Sequence, residues 1–138
     1  LWAAARPGPV TAAVAVAPVA DLARAHELRL SEGAVAEFLT GAGVAERIAE
    51  VDPVRLPPRV PVTVLHGTDD PDVPVELSRR YVAAHRDTGR GAPAVRELSG
   101  VGHYAAVTPG TAACGALVTA LREASREERS EPRPTPDA

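Results

Sequence analysis

Residues 60–74 read VPVTVLHGTDDPDVP, and this stretch decides the kind of fold to expect. Residues 60–66 predict a strand, in which Pro61 is tolerated near the start. Residues 67–71 are turn formers, so the strand ends in a loop that carries Asp70. Apolar positions at helical spacing then predict a helix over 75–87. Strand, loop and helix in this order indicate one unit of an α/β fold.

The same alternation extends to both sides of this stretch. The almost continuously apolar run 10–17 predicts a strand that is covered on both faces in a parallel sheet. A third strand is expected over 94–98, and helical spacing predicts a last helix over 111–125. Right-handed crossovers would then give three parallel strands with flanking helices. Residues 22–50 have helical spacing that glycines interrupt, and we expect them to form a segmented cap. In open α/β sheets the chemistry lies at the carboxyl ends of the strands.

Composition narrows the class of protein. The chain has 138 residues, enough for one domain, and its 45% hydrophobic but only 3% aromatic content predicts a core of small side chains. A net charge of −3 without any lysine argues against a nucleic-acid or membrane partner. The single Cys114 cannot form an intramolecular disulfide, and no apolar run is long enough to span a bilayer. These features favour a soluble protein of a reducing compartment, the cytoplasm.

Both ends of the sequence have distinctive features. The chain lacks methionine altogether, which suggests a processed product or a fragment. Residues 1–5 are followed by Arg6 and a Pro-Gly-Pro turn, as at the end of a helix. The charged, proline-rich residues 126–138 predict a disordered tail behind a domain that covers 1–125.

Two strand-end loops carry residues suited to acid–base chemistry. Asp70 follows the second predicted strand and His103 follows the third, and 33 residues separate them. One helix and one strand fill that interval, so both loops return to the same edge of the sheet. A carboxylate that binds one imidazole nitrogen fixes the tautomer and leaves the other nitrogen free to take a proton from a hydroxyl. A capping Asp and a solvated His remain the plainer alternative.

The neighbouring residues strengthen the acid–base interpretation. HGTDDPDVP over 66–74, SRRY over 78–81 and GVGHY over 100–104 resemble the carboxyl-terminal half of α/β-hydrolases, in the prolyl-oligopeptidase-like and esterase-like branch. The resemblance covers about residues 1–124. It implies a partial α/β-hydrolase sheet and a serine hydrolase that cleaves a small ester, amide or peptide substrate without a cofactor. It also implies that Asp70 orients His103 as members of a catalytic triad.

One part of the family pattern does not occur. These enzymes place their nucleophile in a G-x-S-x-G turn ahead of the Asp and the His, and the 138 residues contain no such motif. None of the five serines follows a predicted strand at a strand-to-helix turn ahead of Asp70. We therefore expect a fragment with the nucleophile upstream, inactive alone. The first strand would then expose an edge through which copies could associate.

The same residues admit other functions. Asp69, Asp70 and Asp72 could hold a cation or accept a phosphoryl group, but ordinary turn chemistry is the favoured explanation of these aspartates. The spacing Gly100-x-Gly102 resembles a dinucleotide fingerprint but lacks the second strand that such a unit needs. A non-catalytic α/β interaction module remains the main alternative. His66 is expected to be structural, and the other two histidines, His26 and His85, to lie on the surface.

Overall fold

The computed structural model describes residues 1–39, 43–89 and 92–130, with side chains described as far as residue 126. Within these residues the structure has three strands and five helices. The strands are β1 (Ala13–Val16), β2 (Val62–Gly67) and β3 (Ala94–Leu98). The helices are α1 (Leu22–Glu27), α2 (Leu30–Phe38), α3 (Val44–Val51), α4 (Glu76–Ala84) and α5 (Ala112–Ser130), and short 3₁₀ turns cover Ala3–Ala5, Pro53–Arg55 and Ala105–Val107.

The sheet is parallel throughout and has the order β1-β2-β3. This confirms the predicted α/β class with three parallel strands and flanking helices. The central strand β2 is buried at five of its six positions. Strand β1 is shorter than predicted and only half-buried at all four positions, so the prediction from its apolar run that it is covered on both faces is wrong. Within the described residues its outer edge pairs with no strand, and association of copies through this edge stays a prediction.

Two apolar clusters lie beside the sheet. One surrounds Tyr81 of α4 and side chains of β2, including Val62 and Val64. The other joins helices α1, α2 and α3 to Val73 in the loop after β2 and to Leu77 of α4. The helical excursion 22–50 is therefore packed against the loop that carries Asp70.

Several boundaries differ from those the sequence predicts. Helix α5 continues to Ser130, beyond the predicted helix end at residue 125. Residues 131–138 lie outside the described part, and the disordered tail stays a prediction. The continuous helix is favoured because residues 121–129 include no proline or glycine. Gly33 and Gly43 have positive φ and interrupt the excursion as expected, whereas Gly41 lies outside the described residues. Among the helices described, none is both long and apolar enough to cross a membrane.

Candidate active site

Asp70 lies in the tight loop that follows β2. Its side chain is 0% exposed, and its Oδ1 atom accepts hydrogen bonds from the backbone N–H groups of Asp72 (2.9 Å) and Val73 (2.8 Å). Pro71 and Pro74 restrict the backbone on either side of these donors. The loop thus fixes the Asp70 carboxylate with Oδ2 left for other donors.

His103 occupies the loop after β3 and binds that second oxygen. Its Nδ1 atom lies 2.7 Å from Oδ2 of Asp70, and its side chain is 24% exposed. The predicted approach of these two residues, 33 positions apart, is confirmed. Since a carboxylate oxygen accepts, Nδ1 carries the proton in this pair. Within the described residues no protein group hydrogen-bonds to the Nε2 atom of His103.

Contacts between the two loops hold this geometry. The Thr68 hydroxyl accepts a hydrogen bond from the Gly100 N–H at 2.9 Å, and the Asp69 N–H donates to the Val101 carbonyl at 3.1 Å. Gly67 makes the close approach possible, because a Cβ atom there would lie 2.0 Å from the Val101 carbonyl oxygen. The glycine and the threonine of the HGTDD segment thus set the spacing between Asp70 and His103.

The hydrogen bonds around Asp70 change its titration. Burial by itself raises the pKa of a carboxyl group, but the N–H of Val73, the His103 ring and the N–H of Asp72 together outweigh burial. They hold the pKa of Asp70 below its ordinary value. The carboxylate is consequently charged at neutral pH and able to stabilise an imidazolium at His103.

A second histidine lies on the inner side of Asp70. His66 ends the buried strand β2, and its side chain is 0% exposed. Its Nδ1 atom lies 2.6 Å from the Ser78 hydroxyl, and its Nε2 atom lies 2.8 Å from the Val73 carbonyl and 3.4 Å from Oδ2 of Asp70. Both ring nitrogens are occupied, which agrees with the structural role expected for His66. The partner Ser78 was not predicted, although its position on the inner face of α4 was readable from the helical spacing.

The remaining candidates are less favourably placed. Asp69 and Asp72 are exposed, so of the three neighbouring aspartates only Asp70 has a buried side chain. Ligand atoms of Asp70, Asp72 and His103 lie within 4.8 Å of one another, but both oxygens of Asp70 already accept hydrogen bonds. Burial of the Asp70 side chain also disfavours phosphoryl transfer to it.

One surface prediction is wrong. His26 is exposed as expected, but His85 is only 4% exposed and its Nε2 atom lies 3.0 Å from the Pro53 carbonyl. The error arose because charged neighbours surround His85 in the sequence, while its own position faces the interior beside Tyr81. The 3₁₀ turn at Pro53–Arg55 supplies the carbonyl that accepts this hydrogen bond.

Comparison with solved structures identifies the fold. A puromycin-hydrolysing peptidase of Mycobacterium tuberculosis is 22% identical, with a TM-score of 0.68 over 96% of this chain and 20% of its own. An esterase of Thermogutta terrifontis is 20% identical, with a TM-score of 0.60 over 93% of this chain and 45% of its own. An acetyl ester-xyloside bifunctional hydrolase of Caldicellulosiruptor lactoaceticus is 22% identical, with a TM-score of 0.58 over 85% of this chain and 42% of its own.

The chain therefore spans less than half the length of each of these structures. No protein-family model and no curated protein matches the sequence. The similar structures are peptidases and esterases, and the agreement lies in the arrangement of strands and helices. The three-stranded parallel sheet and its flanking helices form a part of the α/β-hydrolase fold.

Proposed function

We propose that this chain supplies the acid–base pair of a serine hydrolase, whose nucleophilic serine lies outside residues 1–138. The observation that supports the proposal most strongly is the 2.7 Å contact between Nδ1 of His103 and Oδ2 of the buried Asp70. This contact fixes the neutral tautomer of His103 that has an unprotonated Nε2. That nitrogen belongs to a partly exposed ring, where a hydroxyl group and a substrate could reach it.

The mechanism follows from these two side chains. Nε2 of His103 removes the proton of the serine hydroxyl while the serine oxygen attacks the carbonyl carbon of the substrate. The same proton then passes to the departing alcohol or amine as its bond to the acyl carbon breaks. Water, deprotonated in turn by His103, releases the acid from the acyl-enzyme. Asp70 stabilises the imidazolium in both steps and remains a carboxylate throughout.

The substrate class follows from the reaction type and from the similar proteins. Those proteins are described as a puromycin-hydrolysing peptidase and as esterases, so both carry out carbonyl hydrolysis. We extend that chemistry to this chain as cleavage of a small ester, amide or peptide. Helices α1 to α3 would shape the pocket, because their apolar cluster includes Val73, next to the site. No cofactor takes part in this proposal.

Hydrolysis kinetics test the proposal. The open reading frame should be expressed from its start codon, and p-nitrophenyl butyrate and an aminoacyl amide should be offered as substrates. We expect His103→Gln to lower kcat by about 10⁴-fold. The matched variant His26→Gln changes an exposed histidine outside the site and should leave kcat unchanged.

Two results would contradict the proposal. One is full activity of the His103→Gln variant. The other is an open reading frame that encodes no serine at a strand-to-helix turn ahead of Asp70. Either result would favour the alternative of a non-catalytic α/β module, which has no need of an aligned Asp70 and His103.

A further inference from the structure

A buried polar chain lies beneath the Asp70–His103 pair, and it begins at Ser78 on α4. The Ser78 hydroxyl is 2.6 Å from Nδ1 of His66, and both residues are at most 1% exposed. On the other side of the ring, Nε2 faces the Val73 carbonyl at 2.8 Å and Oδ2 of Asp70 at 3.4 Å. Ser78 has no access to a substrate, so this Ser-His-Asp series is not a second catalytic triad.

The hydrogens in this series can be assigned from the chemistry of the groups. A backbone carbonyl can only accept, so Nε2 of His66 carries a proton toward Val73. In the neutral ring Nδ1 is then an acceptor, and the Ser78 hydroxyl donates to it. The Val73 carbonyl therefore selects the Nε2–H tautomer of His66, and the Ser78 hydroxyl, by donating to Nδ1, holds the ring with this N–H toward the Asp70 loop.

Val73 links His66 to Asp70 through hydrogen bonds of its backbone. Its carbonyl accepts from His66 while its own N–H donates to Oδ1 of Asp70 at 2.8 Å. Its side chain, 6% exposed, packs among apolar residues of helices α1, α2 and α3. The Asp70 carboxylate is thus held on one side through Val73 and approached on the other by the His66 N–H.

We infer that His66 and Ser78 are positioning residues for the Asp70–His103 pair. The Nε2–H tautomer of His66, held in place by Ser78, anchors the Val73 peptide and directs Oδ2 of Asp70 toward Nδ1 of His103. This inference deepens the proposed function and rests on it for its catalytic meaning. The geometry itself can be measured on the 138-residue chain without a nucleophile or a substrate.

Histidine-selective ¹⁵N NMR of the 138-residue chain tests the inference. In the wild type we expect His66 as the Nε2–H tautomer and the Nδ1 proton of His103 protected from exchange with water. Ser78→Ala removes the hydrogen bond that holds Nδ1 of His66, so the ring should be less firmly fixed and exchange of the His103 proton should speed up by about tenfold. His66→Leu should speed it at least as much.

Two further variants separate positioning from loss of stability. His66→Gln places an amide donor near the former Nε2 and should restore slow exchange at His103. His85→Gln changes another buried histidine whose Nε2 meets a backbone carbonyl, and it should leave the exchange at His103 unchanged.

The inference is overturned if wild-type His66 carries its proton on Nδ1. It is also overturned if exchange at His103 is equal in the wild type and in Ser78→Ala. If His66→Leu fails to fold, the wild-type spectrum and the Ser78→Ala spectrum still decide between the outcomes. None of these readouts depends on hydrolysis, so failure of the proposed enzyme activity would be seen separately.

Discussion

Asp52 and Asp70 are both buried carboxylates, yet their surroundings differ in one respect. Asp52 is 0% exposed and accepts from the backbone N–H groups of Leu22 (2.8 Å), Ala23 (3.2 Å) and Val54 (3.4 Å). Asp70 accepts two backbone N–H groups on Oδ1 and the His103 ring on Oδ2. Among the described residues, Asp52 accepts hydrogen bonds from backbone N–H groups alone, whereas Asp70 also accepts one from a side chain that can exchange protons.

This difference separates a structural carboxylate from a candidate catalytic one more clearly than burial does. Around Asp52, every donor is a peptide group that cannot titrate. Around Asp70, one donor is an imidazole that is 24% exposed and has a second nitrogen. A buried charge therefore indicates function only when its partner is titratable and accessible.

The largest expected difference between the two sites concerns turnover. In the polypeptide expressed from its start codon, Asp70→Asn should lower kcat for ester hydrolysis by about 10⁴-fold, because the amide favours the wrong tautomer of His103. Asp52→Asn should leave kcat within about twofold of the wild-type value at temperatures where the variant is folded. Equal losses in the two variants would show that Asp70 has no special role.

The second difference concerns the spacing between loops. Gly67→Ala would place a Cβ atom 2.0 Å from the Val101 carbonyl, so the His103 loop must move, and we expect a loss of about 3 kcal/mol in the free energy of unfolding. Gly115→Ala is the matched control, because a Cβ there meets no atom within 4 Å. Because Gly115 lies on the exposed face of α5, Gly115→Ala should raise the free energy of unfolding by up to about 1 kcal/mol. Urea unfolding measures both, and a neutral Gly67→Ala would refute the close approach.

The third effect belongs to Asp52. Replacement by alanine leaves buried N–H groups at the start of α1 without acceptors, so we expect a loss of about 2 kcal/mol in the free energy of unfolding. Asp72→Ala removes an exposed carboxylate and should change the free energy of unfolding by less than about 0.5 kcal/mol. The protected Nδ1 proton of His103 should persist in Asp52→Ala. Its loss would mean that the two regions are coupled.

The smallest expected effect is a pH dependence of the free energy of unfolding at low pH. The pKa of Asp70 in the folded chain lies below the ordinary value of 3.8, so this group stabilises the fold above that pH. The contribution is lost as the pH falls through the lowered pKa. The difference in unfolding free energy between the wild type and Asp70→Asn should therefore shrink between about pH 4 and pH 2. A constant difference over this interval would contradict the lowered pKa.

The sequence was sufficient for the three strands and for the pairing of Asp70 with His103, because parallel topology brings the carboxyl ends of the strands together. It did not predict the burial of the strands, since the apolar run 10–17 forms a strand that is only half-buried. It was insufficient for His85, because helical charge patterns do not show which loop will cover a residue. It also missed Ser78, since its partner His66 lies on another element, 12 residues away. Tertiary contacts of this kind become visible only once the crossover is built.

The central claim is that His103 and Asp70 activate a serine from outside residues 1–138, and labelling with a fluorophosphonate probe tests it most directly. We predict that the polypeptide expressed from its start codon is labelled on a serine ahead of Leu1. We also predict that His103→Gln suppresses this labelling and that the 138-residue chain alone stays unlabelled. Labelling of the 138-residue chain, or undiminished labelling of His103→Gln, would contradict the claim.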